Sequence, residues 1–148
     1  MIKGDDIMAA EYSYITPQTV AENENILFMN GSNACKKGFI THRNGAGLFR
    51  LKSGSCGGIY EVTFTANIAI ATGGTVAPIS VALQEDGETL GNAIATVTPA
   101  AVGDFVNVSI STLIPVTCGC CASVSIENVS TGNAIDVTNA NIIFNRVG

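Results

Sequence analysis

The chain has 148 residues and a mass of 15.2 kDa, the size of one domain that can build its own core. It is 47% hydrophobic and only 13% charged, which excludes a disordered chain, and its formal charge of -5 argues against broad binding to nucleic acid or an anionic membrane. Nineteen formal charges are few for the roughly 7,000 Å² that a folded monomer of this mass exposes, so part of the surface is expected to be hidden in an oligomer.

The first ten residues, MIKGDDIMAA, lack the apolar run of a secretory signal. Translation starts either at Met1 or at Met8, which follows Lys3-Gly4-Asp5-Asp6; residues 1–7 are then a flexible acidic leader or a translation artefact. Residues 1–24 read as an N-terminal arm, an anchor or a leader, and residues 25–148 as the folded domain. From Asn25 onward, short apolar segments alternate with Gly, Asn and Asp. Strands are predicted at Ile26–Met29, Phe39–Thr41 and Leu48–Leu51.

The clearest strand is Ile59–Ile70, with Tyr60, Val62, Phe64, Ala66, Ile68 and Ile70 on one face and Glu61, Thr63, Thr65 and Asn67 on the other. The uncharged run from Val62 to Gln84 has the length of a membrane span, but Thr, Asn, Gly and Pro interrupt it and its apolar residues alternate as strands do. Ile79, Val81 and Leu83 point inward, with Ser80, Ala82 and Gln84 outward, ahead of a hairpin turn at Glu85-Asp86-Gly87-Glu88.

Further strands follow at Ala93–Val97, Val106–Ile110 and Val124–Ile126. In the last segment Ile135 and Val137 share one parity and Ile142 and Phe144 the other, which places a bulge near Asn139 to Asn141. No helical period survives the Gly, Pro and β-branched residues. The reading is all-β: a two-sheet sandwich of about eight to ten antiparallel strands.

Chemistry has few carriers. His42 is the only histidine and reads as structural, at a strand end entering a turn. Neither G-x-S-x-G nor a Walker loop occurs, and the turn acids Glu85, Asp86 and Glu88 are too short a cluster for an EF-hand loop. The chain therefore reads as a non-enzyme with no cofactor.

Five cysteines occur, Cys35, Cys56, Cys118, Cys120 and Cys121. The run Cys118-Gly119-Cys120-Cys121 is open to three readings: packed thiols or a structural disulfide, soft-metal ligation with Cys118, Cys120 and Cys121 as candidates, or thiol–disulfide exchange. Asn30, Asn107 and Asn128 head glycosylation sequons that read as coincidental. Five of the seven basic residues, Lys36, Lys37, Arg43, Arg50 and Lys52, fall together, whereas Ser53 to Asn145 holds seven acids and no Lys or Arg. The basic group is either a docking patch or solvated loop charge that discourages edge aggregation.

The order of motifs resembles that of C1q/TNF-like jelly rolls: Gly57-Gly58-Ile59-Tyr60-Glu61-Val62-Thr63-Phe64, then Val81-Ala82-Leu83-Gln84-Glu85-Asp86-Gly87, then a last strand ending in Ile142-Ile143-Phe144. The resemblance implies a ten-stranded sandwich that assembles as a homotrimer around an apolar axis. Unlike collagen-tailed relatives, the chain has no Gly-X-Y repeat ahead of the domain. The stretch from Cys35 to the end, with Thr-Gly-Gly-Thr-Val-Ala-Pro-Ile-Ser at 72 to 80, Val97-Thr98-Pro99-Ala100-Ala101-Val102 and the cysteine run, is similar to small proteins of clostridial gut bacteria and their tailed phages.

That second resemblance implies a structural virion protein, a capsid decoration or head-fibre protein on the particle surface, assembled in the bacterial cytoplasm. Its partners are then other copies of itself, the major capsid protein and a host surface glycan, with neither nucleic acid nor membrane among them. The alternative is a carbohydrate- or receptor-binding tip, or a jelly-roll module of a bacterial cell or spore surface, although the lack of Trp leaves few stacking platforms.

Overall fold

The computed structural model describes residues 9–36, 38–53, 57–119 and 121–148. The chain forms β1 (Ala9–Tyr14), β2 (Gln18–Val20), β3 (Met29–Asn30), β4 (Ile40–His42), β5 (Phe49–Lys52), β6 (Gly58–Ile70), β7 (Ile79–Glu85), β8 (Glu88–Val97), β9 (Val106–Val116), β10 (Cys121–Asn128) and β11 (Ile135–Arg146). There is no helix among the described residues.

The strands make two antiparallel sheets. One runs β3-β1-β11-β6-β9 with β2 also on β11, and the other runs β4-β5-β10-β7-β8. From β5 onward the chain passes from sheet to sheet at β5–β6, β6–β7, β8–β9, β9–β10 and β10–β11, which is a jelly-roll winding. No helix of the described residues is long and apolar enough to cross a membrane, and the run from Val62 to Gln84 is divided between β6 and β7.

Alternation drives the packing. Tyr60, Val62, Phe64, Ala66, Ile68 and Ile70 of β6 are all buried, as the sequence predicts, and they meet Ile79, Val81 and Leu83 of β7 within one core. The centre of that core is aromatic: Phe49 lies 4.8 Å from both Tyr12 and Phe144 and 5.4 Å from Phe28, ring centre to ring centre. These tilted contacts favour aromatic edges against faces.

The expected bulge is present. The β11–β6 register shifts between Thr138 and Asn141, and Asn139 adopts φ 55° there, so Ile135 and Val137 point to the same core as Ile142 and Phe144. The hairpin at β7–β8 also forms as predicted. Asp86 and Gly87 both have positive φ, 52° and 85°, as a type I′ turn requires.

Two expectations are corrected. The domain begins well before residue 25: Ala9–Tyr14 pairs along β11 from Asn145 to Ala140, Gln18–Val20 continues on the same side of β11, and Tyr12 is buried. Residues 9–14 and 18–20 of the supposed arm are therefore sheet, because β11 would otherwise expose an apolar-flanked edge. Ala82 and Gln84, on the face opposite Val81 and Leu83, are buried and not solvated. Gln84 is held there by bonds from its amide to Glu127 Oε2 (2.7 Å) and Thr89 Oγ1 (3.1 Å), beside a register shift between Ala82 and Gln84.

Candidate interaction surface

His42 ends β4 and turns inward across the edge of the sandwich. Its ring stacks on Phe49 at 4.3 Å and 14° and meets Tyr12 edge-on at 5.0 Å. Nδ1 faces Asn30 Oδ1, and Nε2 lies 2.8 Å from the Ala46 carbonyl. Burial pulls its pKa below the ordinary 6.5, with the Ala46 carbonyl acting in the opposite direction. Neither nitrogen addresses a Ser or Cys, so the ring acts as a strut that ties β3 to the β4–β5 turn.

Cys35, Cys118 and Cys121 lie among the described residues. Cys121 opens β10 opposite Lys52 and receives a hydrogen bond from Arg50 Nη2 at 2.9 Å, while the Cys35 amide donates to the buried Tyr12 hydroxyl at 3.1 Å. Cys118 stands in the exposed turn between β9 and β10. Among the described residues no three His, Cys, Asp or Glu side chains form a metal-binding group; Cys56 and Cys120 lie outside those residues.

The basic group divides. Arg50 and Lys52 alternate outward on β5, Arg43 sits in the β4–β5 turn, Lys36 lies in the loop before β4, and Lys37 is outside the described residues. The acidic hairpin is used structurally at Asp86, whose carboxylate accepts the Ser123 amide at 2.9 Å. Glu85 is half-buried and its carboxyl is pushed up by burial and then by Asp86.

The sequons fare differently. Asn128 is fully buried, and its amide donates to the Val20 and Asn133 carbonyls while accepting from Ser130 N. It is a packing residue. Asn107 instead joins an amide row across β9, β6 and β11, donating to Asn67, which donates to Asn139.

One surface was not singled out by sequence reasoning: the outward face of the six-stranded sheet. Register places Glu11, Ile143, Thr63 and Ser111 in one row, Ser13, Asn141, Thr65 and Ser109 in the next, and Asn145, Glu61 and Leu113 beyond. Small hydroxyl and amide side chains dominate, with exposed Ile59, Leu113 and Ile143 among them. Beside this face, β8 and β9 are joined by a bond from Asn92 to Thr112 (3.4 Å), and Ile94, Val102 and Phe105 are exposed along that flank. From Thr89 to Ile126 the only charge is Asp104. The signal was available in the outward Thr/Ser/Asn pattern of three strands, but it becomes a surface only when β11, β6 and β9 are neighbours.

No protein-family model matches the chain, and no curated protein matches it. Solved structures do match in fold. The TNF protein Eiger of S. frugiperda is similar with a TM-score of 0.69 at 12% identity, covering 96% of this chain and 93% of that one. Murine APRIL gives 0.63 at 7% identity, covering 95% and 100%. The globular domain of zebrafish complement 1qA gives 0.57 at 12%, covering 94% of each. At such identities the likeness establishes the C1q/TNF-like jelly-roll fold alone.

Proposed function

We propose that this protein is a homotrimeric structural protein of a virion surface, a capsid decoration or head-fibre protein of a tailed bacteriophage, and that it performs no catalysis. The observation that carries the assembly is the outer face of the six-stranded sheet, where small hydroxyl and amide side chains outnumber the acids Glu11, Glu61 and Asp136. Around that face lie the exposed Ile59, Leu113 and Ile143, and beside it runs the β8–β9 flank with Ile94, Val102 and Phe105.

Exposed apolar side chains on two adjoining surfaces mark an interaction site. Packing the flank of one copy against the sheet face of the next buries both, and a head-to-tail contact of this kind closes after three copies when the rotation is 120°. The trimer is also what the C1q/TNF resemblance implies. Threefold symmetry then suits positions on an icosahedral shell.

The experiment is mass spectrometry of purified, density-banded particles from the source, read against the soluble fraction. Copies that co-band with the particles in multiples of three per site agree with the proposal; particles without the protein overturn it.

A further inference from the structure

The acid-free stretch from Asn25 to Tyr60 contains five basic residues, and the fold concentrates two of them on one depression. Strands β4 and β5 form an edge of the five-stranded sheet with Thr41 opposite Arg50. Because Phe49 and Leu51 are buried, Arg50 points outward, and the turn between the strands brings back Arg43, Ala46 and Leu48. Thr41, Arg43, Ala46, Leu48 and Arg50 line a depression of about 300 Å³.

Both guanidinium groups are exposed, and among the described residues neither meets a carboxylate. Arg50 spends one donor on Cys121 Sγ at 2.9 Å, which holds the side chain over β10 and leaves the rest of its fork for another acceptor. Asp86, which follows Ser123 on the same row of the sheet, is already engaged by the Ser123 amide.

We infer that this depression docks an extended acidic–apolar segment of a partner protein. A Glu or Asp carboxylate sits between Arg43 and Arg50, and an apolar side chain two residues away rests on Leu48 and Ala46. In an extended chain, side chains two apart point the same way, which matches a site with charge on its rims and apolar carbon on its wall. Arginine forks suit a planar carboxylate.

A long uniform polyanion fits less well. The chain carries twelve acids against seven basic residues, so charge beyond the depression meets a repulsive surface. The site lies on the opposite sheet from the face assigned to self-association and does not depend on the trimer.

The test is fluorescence anisotropy of the full chain with a labelled acetyl-Gly-Glu-Ser-Leu-Gly-amide peptide and its Gln counterpart, at low and physiological salt. Saturable binding of the Glu peptide is expected, weakened by salt. Substituting Gln in the peptide, or Arg43→Gln with Arg50→Gln in the protein, weakens it by roughly five-fold or more, since each exposed ion pair contributes up to about fivefold. Lys52→Gln changes it by less than about twofold. Melting curves verify that the substituted proteins remain folded. No binding, equal binding of the Glu and Gln peptides, an unaffected Arg43/Arg50 double variant, or tighter binding of inorganic polyphosphate would each overturn the inference.

Discussion

At the scale of single residues, Phe49 carries the most connections. It touches Tyr12, Phe28, Phe144 and the His42 ring, so it joins β1, β11 and both sides of the sandwich. Phe49→Ala is expected to cost about 3–5 kcal/mol, read as a lowered midpoint in urea unfolding with an unchanged slope. The stack on His42 gives a second expectation. The folded pKa of His42 lies below its unfolded 6.5, so the folded state prefers the neutral ring. Its contribution is complete above pH 6.5 and is lost as pH falls through the folded pKa. Since the chain has one histidine, an NMR titration of its ring reads this without overlap; a midpoint at or above 6.5 would contradict it. Sequence placed His42 at a strand end, but not its stack on a residue seven positions later, because a turn fold-back is a tertiary event.

Among the elements, what was legible follows from alternation. β6, β7, β9 and β10 announce themselves by apolar residues at every second position, and the parity change in β11 locates its bulge. β1 does not, because AAEYSY offers only Ala10 and Tyr12 to the core and becomes a strand by pairing with β11. Deleting residues 1–15 should therefore remove cooperative thermal unfolding and near-ultraviolet aromatic signal, whereas a dispensable arm would leave both intact. The hairpin makes a smaller, local prediction. Gly87 holds φ 85° in the β7–β8 turn, and Gly87→Val places a β-branched side chain in that conformation. A loss of about 1–2 kcal/mol is expected from denaturant titration.

For the whole molecule, the interior follows from the sequence and the interacting surface does not. The outward residues of β6, β9 and β11 look like ordinary solvated positions when read singly, and only the order of strands turns Thr63, Ser111, Asn141 and Ile143 into one continuous face. Likewise the basic group was legible as a cluster, but the depression that Arg43 and Arg50 line depends on the β4–β5 register. If the sheet face is the self-association surface, Ile143→Glu buries a charge in the contact. The expected result is a shift from trimer to monomer in light scattering, with little change in circular dichroism, because Ile143 is exposed in the single chain.

The central claim, that three copies associate through the sheet face and the β8–β9 flank, is tested most directly by native mass spectrometry of the untagged protein, under non-reducing conditions and again with reductant and with chelator. The account predicts a mass of three chains that survives both additions. A monomer would contradict it, and so would a trimer that falls apart with reductant or chelator, since the cysteines near Cys118 and Cys121 would then hold the copies together in place of the sheet face.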